Sequence, residues 1–187
     1  EILHLMKKAG CWNIFYGYET GVPELAENIK TNRKNKSMEY MMKVARWTKN
    51  AGIEVRGSFM IALPGENPEL AEQTIQDAIK LDPEYAQFSI TTPYPGTALY
   101  DEIKKGKWGK LTTEDFSEFQ GWNVVFLPEG YKNKEEVMKP YTSDTHGRNH
   151  CFNRSKDSKV PKRAKSRKGT KTSLRQAVKL STKRNAV

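Results

Sequence analysis

The chain has 187 residues, enough for one domain or for part of a larger protein. Its net charge of +10 is uneven, because residues 1–138 carry 17 basic and 20 acidic side chains whereas residues 139–187 carry 15 and 2; this excludes a uniformly basic nucleic-acid-binding domain. With two cysteines and no apolar run near the roughly 20 residues that cross a bilayer, we expect a soluble protein of the reducing cytoplasm without a disulfide framework or membrane span.

Hydrophobic periodicity divides residues 1–138 into alternating helices and strands. Aromatic and β-branched segments predict three strands, at residues 11–21, 53–63 and 86–92. Helical spacing and capping residues predict helices that begin at Ile2, Pro23, Ser37, Pro68 and Thr97. The predicted order ends with a short helix at 112–119, a strand at 122–130 and the start of a last helix at 133–138.

Strands separated by helices predict an α/β fold in which the strands pair in parallel through right-handed helical crossovers. An open sheet and an incomplete (β/α) barrel both fit this order. We assign residues 1–138 to this unit and residues 139–187 to a basic tail of low hydrophobicity, which we expect to be disordered, because such a composition cannot offset an ordering cost of roughly 1–2 kcal/mol per residue. Since the helical pattern is already running at Glu1, we expect a piece of a longer chain.

Three glycine-containing turns follow the predicted strands. They lie at residues 18–21, 63–66 and 92–97. The carboxyl ends of parallel strands collect ligands, and Gly65 leaves bare main chain against which a flat ligand could pack. Pro64 fixes the backbone and has no N–H to leave unpaired. Glu19 could accept hydrogen bonds from hydroxyl or ammonium groups. An isolated Pro-Gly pair is more often only a turn, so the prediction depends on the combination.

That combination resembles a known family. GYETG at 17–21, FMIALPGE at 59–66 and FSITTPYPGTALY at 88–100 together resemble the second half of the radical S-adenosylmethionine (radical SAM) core. The resemblance covers residues 1–138 and is closest to the branch whose members often carry an N-terminal cobalamin-binding domain. It implies the last three strands of a partial (β/α)6 barrel, with SAM, a [4Fe-4S] cluster and in some members cobalamin as cofactors. The intact protein would then be a methyltransferase or a cyclase.

The resemblance also implies roles for particular residues. Glu19 would lie near the ribose and methionine moiety of SAM, with Thr20 beside it in the same motif. The turn that meets the adenine would comprise Ile61, Ala62, Leu63, Pro64 and Gly65. The floor of the cavity, facing the cofactor or an unknown small-molecule substrate, would be lined by Thr92, Pro93 and Tyr94. Most relatives have glycine where Ala62 stands and commonly serine where Thr20 stands.

The chain departs from the family in one serious respect. The family binds its cluster with a CxxxCxxC loop, and Cys11 and Cys151 cannot supply three converging thiolates. We therefore predict no metal ligand in this chain and expect it to be inactive alone. The cluster ligands would come from the missing N-terminal half of the barrel. The alternative is a catalytically inactive α/β binding module whose basic tail makes weak, non-specific contact with nucleic acid.

Other conspicuous residues have structural interpretations. We expect Arg56 to form a surface or inter-element ion pair, away from the site. We expect Glu66 to be an acid at a helix N-terminus, where the helix dipole favours it. His146, His150 and Cys151, in the tail, lack the further partner that a zinc site requires.

Overall fold

A computed structural model of the protein describes residues 1–29, 37–145 and 151–153. The helices are α1 (Ile2–Lys8), α2 (Pro23–Asn28), α3 (Met38–Asn50), α4 (Pro68–Leu81), α5 (Ala98–Lys104) and α6 (Lys134–Thr145). The strands are β1 (Asn13–Glu19), β2 (Glu54–Ile61), β3 (Tyr85–Ile90), β4 (Gly109–Leu111), β5 (Phe126–Pro128) and β6 (Cys151–Asn153). Within these ranges, no helix combines the length and the apolar character needed to cross a membrane.

The main sheet has the strand order β1-β2-β3-β6. β1 pairs in parallel with β2, and β2 in parallel with β3, so these three strands end at the same edge. Helices connect them, which confirms the predicted α/β class with parallel strands and helical crossovers. β6 adds to β3 in the antiparallel direction.

Local sequence signals explain the two long helices. The Ser37 hydroxyl accepts a hydrogen bond from the main-chain N–H of Tyr40, and α3 follows. The Asn67 side chain accepts one from the N–H of Leu70, with Pro68 in the first turn of α4. Gly10 and Gly52 both have positive φ angles, 95° and 77°, where α1 and α3 end.

The core lies between one face of the sheet and the helices α3 and α4. The Phe59 ring is at its centre, with its centroid 5.6 Å from that of Tyr18 and 5.3 Å from that of Phe88. Apolar side chains of the two helices close the cluster, namely Met41, Ala45, Ala71, Ile75 and Ala78. Alternation along each strand sends every second residue to this face, which is why the buried residues of β2 are two apart.

The alternate residues form the opposite face, which we call the open face. It comprises Phe15, Gly17, Arg56, Ser58, Tyr85, Gln87 and Ser89. In the described part of the chain, all seven are half-buried or exposed. The sheet therefore has one apolar face covered by helices and one mixed face that is partly accessible.

Several sequence predictions differ from the structure near the C-terminus. The predicted strand at 122–130 is reduced to β5, which pairs antiparallel with β4 in a separate two-stranded sheet. Pro128 lacks an N–H and cannot extend a ladder at that position. The predicted helix at 112–119 is one 3-10 turn, Phe116–Glu118.

The predicted boundary at 138/139 falls inside α6, and β6 lies within the predicted tail. The expected disorder of the rest of the tail, residues 154–187, concerns residues outside the described ranges. His146 and His150 also lie outside them.

Two glycines in neighbouring strands offer a test of the core. A Cβ on Gly57 would lie 2.8 Å from Cε2 of Phe59 and 3.1 Å from Cδ2 of Tyr18, so Gly57→Ala should overpack the aromatic cluster. We expect it to lower the free energy of unfolding by about 1–3 kcal/mol, measured by urea denaturation.

Gly17→Ala is the matched control, because its Cβ would meet the mobile end of one side chain, Oε1 of Glu19 at 2.7 Å. The two changes restrict the unfolded chain equally. Equal losses of stability in the two variants would contradict this description of the core.

Candidate functional site

The three predicted turns lie at one edge of the main sheet, because β1, β2 and β3 are adjacent and parallel. Hydrogen bonds link the segments that carry these turns. Thr91, after β3, donates to the carbonyl of Ile61 from both its main-chain N–H (2.9 Å) and its hydroxyl (3.0 Å). Asn28, at the end of α2, donates from Nδ2 to the carbonyl of Pro64 at 2.8 Å. We call the residues 19–21, 62–66 and 91–94 the strand-end turns.

The first strand-end turn begins with a residue of unusual backbone conformation. Glu19 has a φ of 61°, and the register of β1 against β2 shifts between Gly17 and Glu19. Its half-buried carboxylate folds back over Gly17, since Oε1 would be 2.7 Å from a Cβ there. A carboxylate is thus placed at the end of β1, next to the open face.

Thr20 is fully buried and shapes the same turn. Its hydroxyl lies 2.9 Å from that of Thr74 on α4 and accepts a hydrogen bond from the N–H of Val22 at 3.0 Å. Because the Thr74 hydroxyl donates to the carbonyl of Leu70, the Thr20 hydroxyl donates to Thr74. The Thr20 side chain is therefore engaged inside the protein, where it ties the turn to α4.

The second strand-end turn presents main chain rather than side chains. The side chains of Ile61, Ala62 and Leu63 are completely inaccessible, and Pro64 is buried. Gly65 is exposed, with a φ of 81°. Ala62 has a φ of 61°, a conformation that costs a residue with a Cβ about 1–2 kcal/mol and that glycine adopts freely.

Two residues that lie against this turn, Asn28 and Trp108, were not predicted from the sequence to be near it. A Cβ on Gly65 would lie 2.6 Å from Nδ2 of Asn28 and 3.6 Å from Cζ3 of Trp108. Leu63 packs with Val22 and Leu25, so the segment after β1 and the turn after β2 share one apolar cluster. These contacts join residues far apart in sequence, which periodicity cannot reveal.

Glu66 is buried beneath the second turn. Its Oε1 accepts a hydrogen bond from the N–H of Ala62 at 2.5 Å and another from the hydroxyl of Tyr131 at 2.7 Å. Burial raises the pKa of this carboxyl to about 7, although those hydrogen bonds act to lower it. Burial and the neighbouring Glu66 raise the pKa of Tyr131 above its ordinary range. Glu66 directly precedes Asn67, the cap of α4, so it lies at the predicted helix N-terminus, and its carboxyl group is buried there.

The third strand-end turn presents an aromatic ring. Tyr94 is 51% exposed, and its hydroxyl donates to the carbonyl of Phe119 at 3.2 Å. Thr92 is half-buried and donates from its hydroxyl to the carbonyl of Ile90, whereas Pro93 is buried. The structure brings the three sets of predicted site residues to one edge; their contact with a cofactor or substrate stays a prediction.

No metal site is found in the described ranges, where no three His, Cys, Asp or Glu side chains come close enough to hold an ion. Cys11 is a free thiol whose Sγ donates to the carbonyl of Asn13, at the other end of β1 from the strand-end turns. An iron–sulfur cluster requires several thiolates, so these residues do not fit one.

Comparisons with known proteins agree with the sequence motifs. The chain is 36% identical over 121 residues to an uncharacterised methyltransferase of Pyrococcus horikoshii, covering 62% of this chain and 26% of that protein. It is 23% identical over 171 residues to the anaerobic magnesium-protoporphyrin IX monomethyl ester cyclase of Rubrivivax gelatinosus, covering 81% and 29%. The chain thus spans less than a third of these relatives. No protein-family model matches it.

Solved structures show the same fold. The radical SAM methyltransferase TsrM of Kitasatospora setae, solved with cobalamin and a [4Fe-4S] cluster, matches with a TM-score of 0.51 and 22% identity over 79% of this chain and 29% of that one. The radical SAM enzyme HemN of Escherichia coli also matches with a TM-score of 0.51, at 14% identity over 74% and 27%. These findings confirm the resemblance to radical SAM proteins.

The buried Glu66 predicts a pH-dependent stability. Its pKa in the folded chain, about 7, lies above the ordinary value of 4.5, so the folded state binds this proton more tightly. The contribution of protonated Glu66 to the free energy of unfolding is fully present below pH 4.5 and is lost as the pH rises through about 7. Relative to Glu66→Gln, which cannot ionise, the free energy of unfolding of the unmodified chain should fall by roughly 2–3 kcal/mol from pH 4 to pH 8.

Urea denaturation of both proteins at a series of pH values measures the difference and cancels the other titrating groups. Parallel stability curves for the two proteins would show that Glu66 titrates normally.

Proposed function

We propose, from its similarity to radical SAM proteins, that this chain is a fragment that supplies the SAM-binding strand ends of such an enzyme. In this proposal β1, β2 and β3 are the last three strands of a partial (β/α)6 barrel, with the open face turned toward the barrel interior. The observation that carries the proposal is the contact between the segment after the first strand-end turn and the second strand-end turn, through the bond from Asn28 to Pro64 and the packing of Leu63 on Val22 and Leu25.

The accessible groups of the strand-end turns suit an adenosyl group with an amino acid attached. Gly65 offers bare main chain with no side chain to hold a flat base away. Glu19 offers a partly accessible carboxylate that can accept hydrogen bonds from ribose hydroxyls or an ammonium group. Thr20 would act indirectly, by fixing the turn that carries Glu19. Thr92 and Tyr94 would face the substrate from the third turn, with Pro93 supporting them from the interior.

The remaining cofactors would be held elsewhere in a complete protein. In the intact enzyme a [4Fe-4S] cluster would provide the reducing electron for SAM, and its ligands would lie on the missing N-terminal half of the barrel. Cobalamin would be a further cofactor of the intact enzyme, bound outside the described residues. As methyltransferases and a cyclase are among the relatives, we assign the intact enzyme to one of these classes and place it in the reducing cytoplasm.

The alternative is a catalytically inactive module whose basic tail contacts nucleic acid. That tail is mostly residues 154–187, outside the described ranges. No specific observation in the described residues favours this alternative over the enzyme fragment.

Glu19 gives the direct test. We would fuse to this chain the part of the P. horikoshii methyltransferase that precedes the matched region, and reconstitute iron and sulfide without oxygen. Formation of 5′-deoxyadenosine from SAM would establish that the fusion is assembled. Glu19→Ala should then weaken SAM binding, measured by calorimetry, by about 1–3 kcal/mol, or roughly 5- to 150-fold, because the hydrogen bonds that the ligand donates to this carboxylate are lost.

Glu72→Ala removes an exposed carboxylate from the outside of α4 and serves as the matched control. SAM affinity that is the same in both variants would remove Glu19 from the cofactor site.

A further inference from the structure

Within the described residues, Arg56 has aromatic neighbours rather than the ion-pair partner that its sequence position suggested. Its guanidinium lies between two aromatic rings, with Cζ 5.4 Å from the centroid of Trp12 and 4.8 Å from that of Tyr85. No carboxylate in the described residues is within ion-pair distance of it. Cation–π contact is thus its main stabilising interaction in this part of the chain.

The guanidinium has hydrogen-bonding capacity that the described residues do not use. Its Nε is inaccessible to solvent and has no hydrogen-bond partner among residues 1–29, 37–145 and 151–153. Leaving a buried donor of a charged group unpaired costs about 1–3 kcal/mol or more. An arginine carries five N–H donors in a planar fork that suits a two-oxygen acceptor. An acceptor for Arg56 must therefore come from outside the described residues.

Exposed aromatic surface surrounds this unused donor. Phe15, Arg56 and Tyr85 are level with one another on neighbouring strands of the open face. Phe15 is 51% exposed and Trp12 is 59% exposed. We call Trp12, Phe15, Arg56 and Tyr85 the Arg56 platform. An arginine framed by large aromatic side chains is the composition typical of the centre of a protein–protein interface.

The Arg56 platform is separate from the proposed SAM site. Arg56 is the third residue of β2, whereas Ala62 follows the last residue of that strand. Six residues of extended chain span about 20 Å. Arg56 therefore lies toward the amino end of β2, about 20 Å from the second strand-end turn.

The charges nearby favour a carboxylate over a phosphate. Glu54 lies two residues before Arg56, on the same face of β2, and is exposed. Its negative charge disfavours a doubly charged phosphate more than a singly charged carboxylate. The aromatic frame also favours a partner that brings apolar surface with its charge.

We propose that the Arg56 platform is a docking surface for the polypeptide that precedes this region in the longer relatives, and that this polypeptide places an Asp or Glu carboxylate on Arg56. The inference rests on the proposed function. It is supported by three further observations: β1 is the last strand of the sheet on its side in the described residues, the chain spans only 26% of the Pyrococcus relative, and Nε of Arg56 has no hydrogen-bond partner among the described residues.

The test uses two separate polypeptides. The probe is the part of the P. horikoshii methyltransferase that precedes the matched region, added to this full chain as an independent protein. Calorimetry measures their dissociation constant, and the ¹⁵Nε–¹Hε signal of Arg56 reports the contact by NMR. We expect binding together with a shift of that signal. Arg56→Ala should weaken binding at least 10-fold, and Arg56→Lys several-fold, because lysine keeps the charge but not the planar fork.

Arg46→Ala is the matched control, since it removes the same charge from an exposed position on α3 and should change the affinity less than twofold. Urea denaturation of Arg56→Ala alone checks that this variant folds, and Arg56→Lys retains the packing. No binding of the probe, or equal affinities for the alanine variants of Arg56 and Arg46, would overturn the docking proposal. The proposed function is judged separately, by the dependence of SAM affinity on Glu19 in the fused protein.

Discussion

The carboxyl group of Glu66 sits in the protein interior and accepts hydrogen bonds from the main chain of Ala62 and from the hydroxyl of Tyr131. Burying such a group is unfavourable, as its raised pKa indicates, so it persists only because it holds something else in place. What it holds is a turn with left-handed conformations at Ala62 and Gly65. The carboxylate of Glu66 accepts the hydrogen bond of the Ala62 N–H and so stabilises the sharp turn at the end of β2.

The helix α4 extends this constraint to the neighbouring strand. Glu66 lies just before its first turn, and Thr74, two turns further on, binds the hydroxyl of Thr20. Asp77 lies one turn beyond and packs against Gly21, where a Cβ would be 2.5 Å from its carboxylate. One helix therefore fixes the turns after β1 and β2 relative to each other. Asn28 adds a direct bond between the two segments.

The sequence predicted the local features well and the long-range contacts poorly. Caps such as Ser37 and Asn67, and the three parallel strands, follow from signals within a few residues of each other. Glu66 and Tyr131 are 65 positions apart, and nothing in the local pattern of either residue indicates that they meet. The aromatic neighbours of Arg56 were missed for the same reason, because they belong to other strands and segments. The gathering of the strand-end turns was predictable because parallel pairing alone requires it.

The contacts that shape the strand-end turns all lie within this chain. They come from α2, α4, Thr91 and Tyr131. The open face, by contrast, carries the unpaired donor of Arg56 and exposed aromatic rings. The strand-end turns are thus held in place by contacts within the described residues. Under the proposed function, a ligand of these turns would therefore spend little of its binding energy on ordering them.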